Sequence, residues 1–124
     1  CSLSSSGKRV ILCGDMNVAR GPIDVWQVPK LMTAGYLPAE QKGMEKYLNS
    51  CGMIDTFREL YGDAKDNGYT WWNPRAKTSR PANKGWRLDY FLTTKNIYKK
   101  VLSSNIMSQI HGSDHCPIGL IFVI

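Results

Sequence analysis

An α/β fold is predicted by three features of this chain. Short apolar runs stand at both ends, Val10-Ile11-Leu12-Cys13 before Gly14 and a closing run from Pro117 to the final Ile124. Runs of that length bounded by turn residues read as strands. Met44, Tyr47, Leu48 and Cys51 recur at i, i+3, i+4 and i+7, the spacing of one helix face. Between them, residues 86–93 alternate in part between apolar and polar and read as a central strand.

Each element has its own local reason. Residues 8–13 form a buried strand, four apolar residues in a row stopped by Gly14. Arg20-Gly21-Pro22 opens an irregular stretch to about residue 37, broken by Pro29, Gly35 and Pro38. Residues 38–50 are helical, with Pro38 near the first position, where its missing N–H costs nothing, and Gly52 as the stop. Asp55 is placed to cap a short helix over residues 56–61, with Phe57, Leu60 and Tyr61 turned to the core. A loop over 62–68 precedes a strand at 69–72, and residues 73–85 form a polar, basic loop. A helical turn at 96–98 and a weaker strand at 101–107 follow, and residues 117–124 close the sheet. Five strands and two helices make the α/β reading.

At 124 residues the chain is one domain at most, and 43% hydrophobic with 21% charged residues is a globular composition, not a disordered one. No apolar run approaches the roughly 18 residues of a membrane-spanning helix, so no membrane partner is expected. Residues 1–7 are small and polar, unlike a secretory signal. None of the four cysteines lies in a Cys-x-x-Cys pair, which argues against structural zinc. Small buried thiols in a reducing, intracellular compartment are expected.

Charge is uneven. Eight of the sixteen Lys and Arg residues lie between 71 and 100 against one acid, Asp89, so this segment carries the whole net charge of +6. With Trp71, Trp72 and Trp86 bracketing the loop, the pattern reads as a nucleic-acid surface, cations for phosphates and aromatic faces for sugars or bases. Arg75, Lys77, Arg80, Asn83 and Lys84 are the candidate DNA contacts. Trp72, next to Trp71, should face the opposite way and pack in the core.

Two turns carry the chemistry. Gly14-Asp15-Met16-Asn17-Val18-Ala19 leaves one apolar run and Gly112-Ser113-Asp114-His115-Cys116-Pro117 enters another. Carboxylate, amide and imidazole groups at strand ends are placed to converge on a divalent cation and a phosphate. Asp15 is the candidate to orient or deprotonate a water, and Asn17 to hold that water or a phosphate oxygen. Asp114 points away from His115 in an extended segment, which suits a metal ligand. Asp89, inside a strand, needs a partner, because a bare buried carboxylate costs several kcal/mol. Taken alone, a Gly-Asp-x-Asn turn is most often just an Asx turn.

Both turns, with Gly85-Trp86-Arg87-Leu88-Asp89-Tyr90-Phe91-Leu92 between them and Tyr69-Thr70-Trp71-Trp72 before it, resemble one family. The chain is similar to the C-terminal half of a class II apurinic/apyrimidinic (AP) endonuclease of the exonuclease III family, nearer its eukaryotic branch. That resemblance implies half of a four-layer α/β sandwich, a mostly antiparallel sheet with flanking helices. It implies Mg2+-dependent hydrolysis (Mn2+ as a substitute) of the phosphodiester 5′ to an abasic site in double-stranded DNA, with 3′-5′ exonuclease or 3′-phosphodiesterase activity alongside. Asp15, Asn17, Asp89 and His115 would be catalytic, with Asp89 holding the far nitrogen of His115. Asp15, Asn17, Asp114 and His115 would serve the metal, and Trp71, Trp86 and Leu88 would receive the baseless sugar. The nucleus is the implied location, with the mitochondrion as the alternative. The family's metal-binding glutamate, catalytic tyrosine and a phosphate-binding arginine would lie in an N-terminal half outside this chain, which alone would be inactive. The rival readings are a retroelement endonuclease or inositol-phosphate phosphatase of the same superfamily, and a non-catalytic DNA- or protein-binding module.

Overall fold

The computed structural model describes residues 1–64 and 68–124. The loop predicted over 62–68 therefore lies partly outside the described residues. Strands β1 (Ile11–Asp15), β2 (Met53–Asp55), β3 (Trp71–Trp72), β4 (Gly85–Trp86), β5 (Asp89–Thr94), β6 (Val101–Ile106) and β7 (Ile118–Phe122) combine with helices α1 (Ser2–Ser5), α2 (Pro38–Cys51), α3 (Thr56–Tyr61) and α4 (Lys95–Tyr98). The architecture is α/β, with antiparallel sheets and flanking helices. The described strands form three small sheets and not the single sheet predicted: β1-β5-β2, β3-β4 and β6-β7.

Local signals held where they were strongest. Pro38 opens α2, and Gly52 ends it in the left-handed conformation at φ 60°, which suits a residue without Cβ. Glu40 Oε2 accepts the N–H groups of Gly35 (2.8 Å) and Leu37 (3.0 Å) at the helix start. Met44, Leu48 and Cys51 of α2 bury against Met53, Tyr90 and Leu92, the main core. Asp55 caps α3 by accepting from Arg58 N–H at 3.3 Å. Thr56 and Phe57 are buried there, whereas Leu60 and Tyr61 are only partly covered.

Three expectations need correction. The strand predicted over 86–93 is interrupted, because Arg87 and Leu88 leave the ladder between β4 and β5. Thr70 Oγ1 accepts the N–H groups of Leu88 (2.9 Å) and Asp89 (3.0 Å), so the break leaves no orphaned donors there. β1 is an edge strand whose Ile11 and Leu12 remain 38% and 36% exposed. Its unbroken apolar run asks for cover on both faces, which the described residues do not supply.

The cysteines also depart from four buried thiols. Cys1 and Cys51 form a disulfide that ties α1 to the end of α2, while Cys13 is exposed and Cys116 buried. Under native, non-reducing conditions two thiols are expected to alkylate, Cys13 promptly and Cys116 slowly. Burial pushes the Cys116 thiol up to about 11, leaving little reactive thiolate. Four reactive thiols would refute the pairing.

Candidate active site

Asp15 at the end of β1 lies directly opposite Asp89 at the start of β5. Residues opposed in an antiparallel pair project to the same face, so two carboxylates share one corner of the sheet. Asp15 Oδ1 accepts the N–H of Asn17 at 2.8 Å, an Asx turn in which Asn17 takes φ 53°. Oδ2 of Asp15 stays free of that turn. His115 arrives on a segment docked along β3: Trp72 N–H donates to Asp114 O (3.0 Å) and Cys116 N–H to Thr70 O (2.8 Å).

The imidazole then meets both carboxylates. His115 Nδ1 lies 2.8 Å from Asp89 Oδ2, and His115 Nε2 lies 3.8 Å from Asp15 Oδ2. An ionised carboxylate only accepts, so Asp89 fixes the proton on Nδ1 and leaves Nε2 toward Asp15. Side-chain exposure rises from 13% at Asp89 through 29% at His115 to 33% at Asp15. The orienting end is inside and the working end is open.

His115 and Asn17 stand on the wall of a cleft of about 540 Å³, together with Trp71, Trp86, Leu88 and Lys84. Trp71 and Trp86 pair across β3 and β4 with ring centroids 6.2 Å apart, edge to face, and Tyr36 meets Trp86 at 6.1 Å. Gly85, opposite Trp72, leaves room for that indole: a Cβ there would come within 2.5 Å of its nitrogen. Trp72 itself is 3% exposed and belongs to the core.

Asp114 faces elsewhere. Its Oδ2 accepts from Trp71 Nε1 at 3.0 Å, and that hydrogen bond holds its exposed carboxyl below the usual range. Among the described residues no three His, Cys, Asp or Glu side chains gather into a metal site. Asp15, Asn17, Asp114 and His115 thus do not form a protein cage. The donor set suits a hydrated cation such as Mg2+, which takes one or two carboxylates and keeps several waters.

The basic segment is less basic outside than its sequence suggests. Arg87 is 1% exposed and donates Nε to Asp24 Oδ1 (2.7 Å) and Nη1 and Nη2 to the two oxygens of Asp55 (2.9 and 2.8 Å). Arg20 reaches Asp55 Oδ2 at 2.9 Å and Arg58 reaches Asp24 Oδ1 at 2.6 Å. Arg80 lies over Trp72 and donates to the carbonyls of Ser108, Ile110 and Ser113, clamping the loop before His115. Asn83 Oδ1 accepts from Trp72 Nε1 at 3.2 Å. Arg80 thus braces the loop before His115, and Asn83 braces Trp72 through Oδ1. Arg75, Lys77 and Lys84 remain exposed beside the cleft strands.

Sequence reasoning missed Thr70, which braces the backbone of Asp89, and Trp26, which joins the cleft wall. It also counted Arg87 among the surface cations. None of the three roles has a local signal in the sequence, since their partners lie far along the chain.

The fold is of the α/β class, and the chain belongs to the Endonuclease/Exonuclease/phosphatase family, whose profile matches residues 2–115. Recombination repair protein 1 of Drosophila melanogaster is 46% identical over 119 residues, covering 94% of this chain and 17% of that protein. DNA repair nuclease APEX1 of Danio rerio is 40% identical over 126 residues, covering 100% of this chain and 39% of that protein. Among solved structures, the AP endonuclease LMAP from Leishmania major superposes with a TM-score of 0.83 at 32% identity, over 89% of this chain and 34% of that one. The chain spans less than half the length of each of these proteins.

Proposed function

We propose that this chain is the C-terminal half of a DNA-repair AP endonuclease that hydrolyses the phosphodiester 5′ to an abasic nucleotide in duplex DNA. One observation carries the reading: an imidazole held by Asp89 at 2.8 Å opens onto an aromatic cleft of about 540 Å³. A flipped abasic sugar has no base to pair or stack, and the apolar wall of Trp71, Trp86 and Leu88 offers it a surface beside His115. The names of the relatives, a recombination repair protein, a DNA repair nuclease and an AP endonuclease, support the same substrate.

In this reading Asp15 Oδ2 orients a water and takes its proton as the water oxygen bonds to phosphorus. The bond to the upstream 3′ oxygen breaks, its electron pair stays on that oxygen, and a proton from solvent completes the 3′-hydroxyl. His115 Nε2 contacts the phosphate, and Asn17 steadies the water or a phosphate oxygen. Mg2+ or Mn2+, held here chiefly by Asp15 with waters and groups outside this chain, would offset the charge that develops on the phosphate. Arg75, Lys77 and Lys84 supply phosphate contacts.

The test compares the complete polypeptide with the 124-residue chain on duplexes containing a tetrahydrofuran abasic analogue. The complete polypeptide is expected to incise 5′ to the analogue and the isolated chain to be inert. Efficient incision by the isolated chain would overturn the half-domain reading. Dephosphorylation of inositol phosphates by the complete polypeptide, without incision, would favour the phosphatase alternative.

A further inference from the structure

Trp26 is 45% exposed, yet its backbone is fixed. Its N–H donates to Gly85 O at 3.0 Å, and the preceding Val25 bridges to Trp86. The half-exposed ring on an anchored backbone presents a fixed aromatic surface that a ligand can cover. The ring also stands where two hollows meet. Trp26, Thr33 and Trp86 line both the cleft of about 540 Å³ and a second hollow of about 370 Å³, whose other walls include Val28, Pro29 and Lys30. Each hollow has a cation in its wall: Lys84 Nζ lies 5.0 Å over the Trp26 ring centroid at the cleft, and Lys30 borders the second hollow.

A half-exposed aromatic ring with one cation over it and another on the adjoining hollow fits a flat π system joined to anionic groups, which is a nucleotide. We propose that Trp26 is a stacking platform for the base of a nucleotide adjoining the abasic one, with Lys30 and Lys84 holding the phosphates beside it. This subsite rests on the AP endonuclease reading and deepens it: the cleft takes the baseless sugar and the second hollow takes its neighbour. The complementary charge and the continuity of the two hollows favour nucleic acid over an apolar protein partner, which would leave both lysines unpaired.

The experiment uses the complete polypeptide in EDTA with duplexes carrying a tetrahydrofuran site and 2-aminopurine as the adjacent base, on the 5′ side in one duplex and the 3′ side in another. Binding of the unaltered protein is expected to change the fluorescence of one of the two probes. Trp26→Ala should weaken binding roughly ten- to hundredfold, the usual effect of losing one base–aromatic stack, and abolish that change. Trp26→Phe should retain most of both, and Trp26→Leu, which keeps apolar bulk, should lose the fluorescence change even where it folds normally. Unchanged affinity and fluorescence in Trp26→Ala and Trp26→Leu would overturn the platform, as would weakened binding with the fluorescence change intact. If the unaltered protein binds abasic and intact duplexes equally, the functional reading falls and the platform with it. If it discriminates while the Trp26 variants behave like it, only the platform falls.

Discussion

Arg87→Met in the complete polypeptide is expected to destabilise the fold by about 3–5 kcal/mol, the usual cost of breaking a buried ion pair from one side. Arg87 is 1% exposed and makes three charge-assisted hydrogen bonds of 2.7–2.9 Å to Asp24 and Asp55. The variant leaves Asp24 with Arg58 and Asp55 with Arg20, but both carboxylates lose the partner that is itself fully buried. The guanidinium also stacks 4.5 Å over Tyr90, a member of the main core, so packing is lost with charge.

The same network sets a pH signature. Burial works against the Asp55 carboxylate, yet Arg87 and Arg20 outweigh it and hold this carboxyl below its usual range. A folded-state pKa below the unfolded one gives stability that is present above the unfolded value of about 3.9 and lost as pH falls through the folded one. Arg87→Met removes the larger of the two attractions. The stability gap between parent and variant should therefore be widest near neutrality and narrow in acid. Urea melts at several pH values measure it. A gap below about 1 kcal/mol at neutral pH, or one that widens in acid, would show that Arg87 does not hold the network.

His115→Asn in the complete polypeptide is expected to cut turnover by roughly 10²–10⁴ with little change in DNA affinity. In its doubly protonated form the imidazole can donate to a phosphate from Nε2 while its Nδ1–H is held by Asp89 at 2.8 Å. Asp89→Ala should give a smaller loss of the same kind, because it frees the ring to turn without removing it. The two losses should be strongly non-additive, since each disables one unit. A structural role predicts something else: turnover per folded molecule stays normal and melting temperature falls independently in each variant. A double-mutant cycle on turnover, with melting followed in parallel, decides between them, and additive losses that track melting would remove the pair from the reaction.

Several features of this protein were legible in the sequence because their causes are local. Pro38, the Met44–Tyr47–Leu48–Cys51 spacing and Gly52 determine α2, since a helix needs only a start, a face and a stop within a few turns. Asp55 as the cap of α3 and Trp72 as the inward ring of its pair follow from single-residue geometry in the same way. The residues of the two turns, Asp15 with Asn17 and Asp114 with His115, stood out by type and spacing, and a family resemblance supplied the pairing of Asp89 with His115.

Tertiary structure alone decided the rest. Arg87 reads as a surface cation until Asp24, 63 positions away, and Asp55, 32 away, are brought against it. Thr70 reads as an ordinary strand residue until the chain breaks at Arg87 and Leu88 and presents two backbone N–H groups to its hydroxyl. The hydrogen bonds of Arg80 to the carbonyls of Ser108, Ile110 and Ser113 could not be read from its place in a polar loop. Trp26 reads as one more apolar residue in an irregular stretch until Gly85 pins its backbone at the edge of the cleft. Periodicity and spacing report what a residue does to its near neighbours along the chain. Whether a charge is solvated or neutralised, and whether a ring is core or platform, depends on partners that only folding brings within a few ångströms.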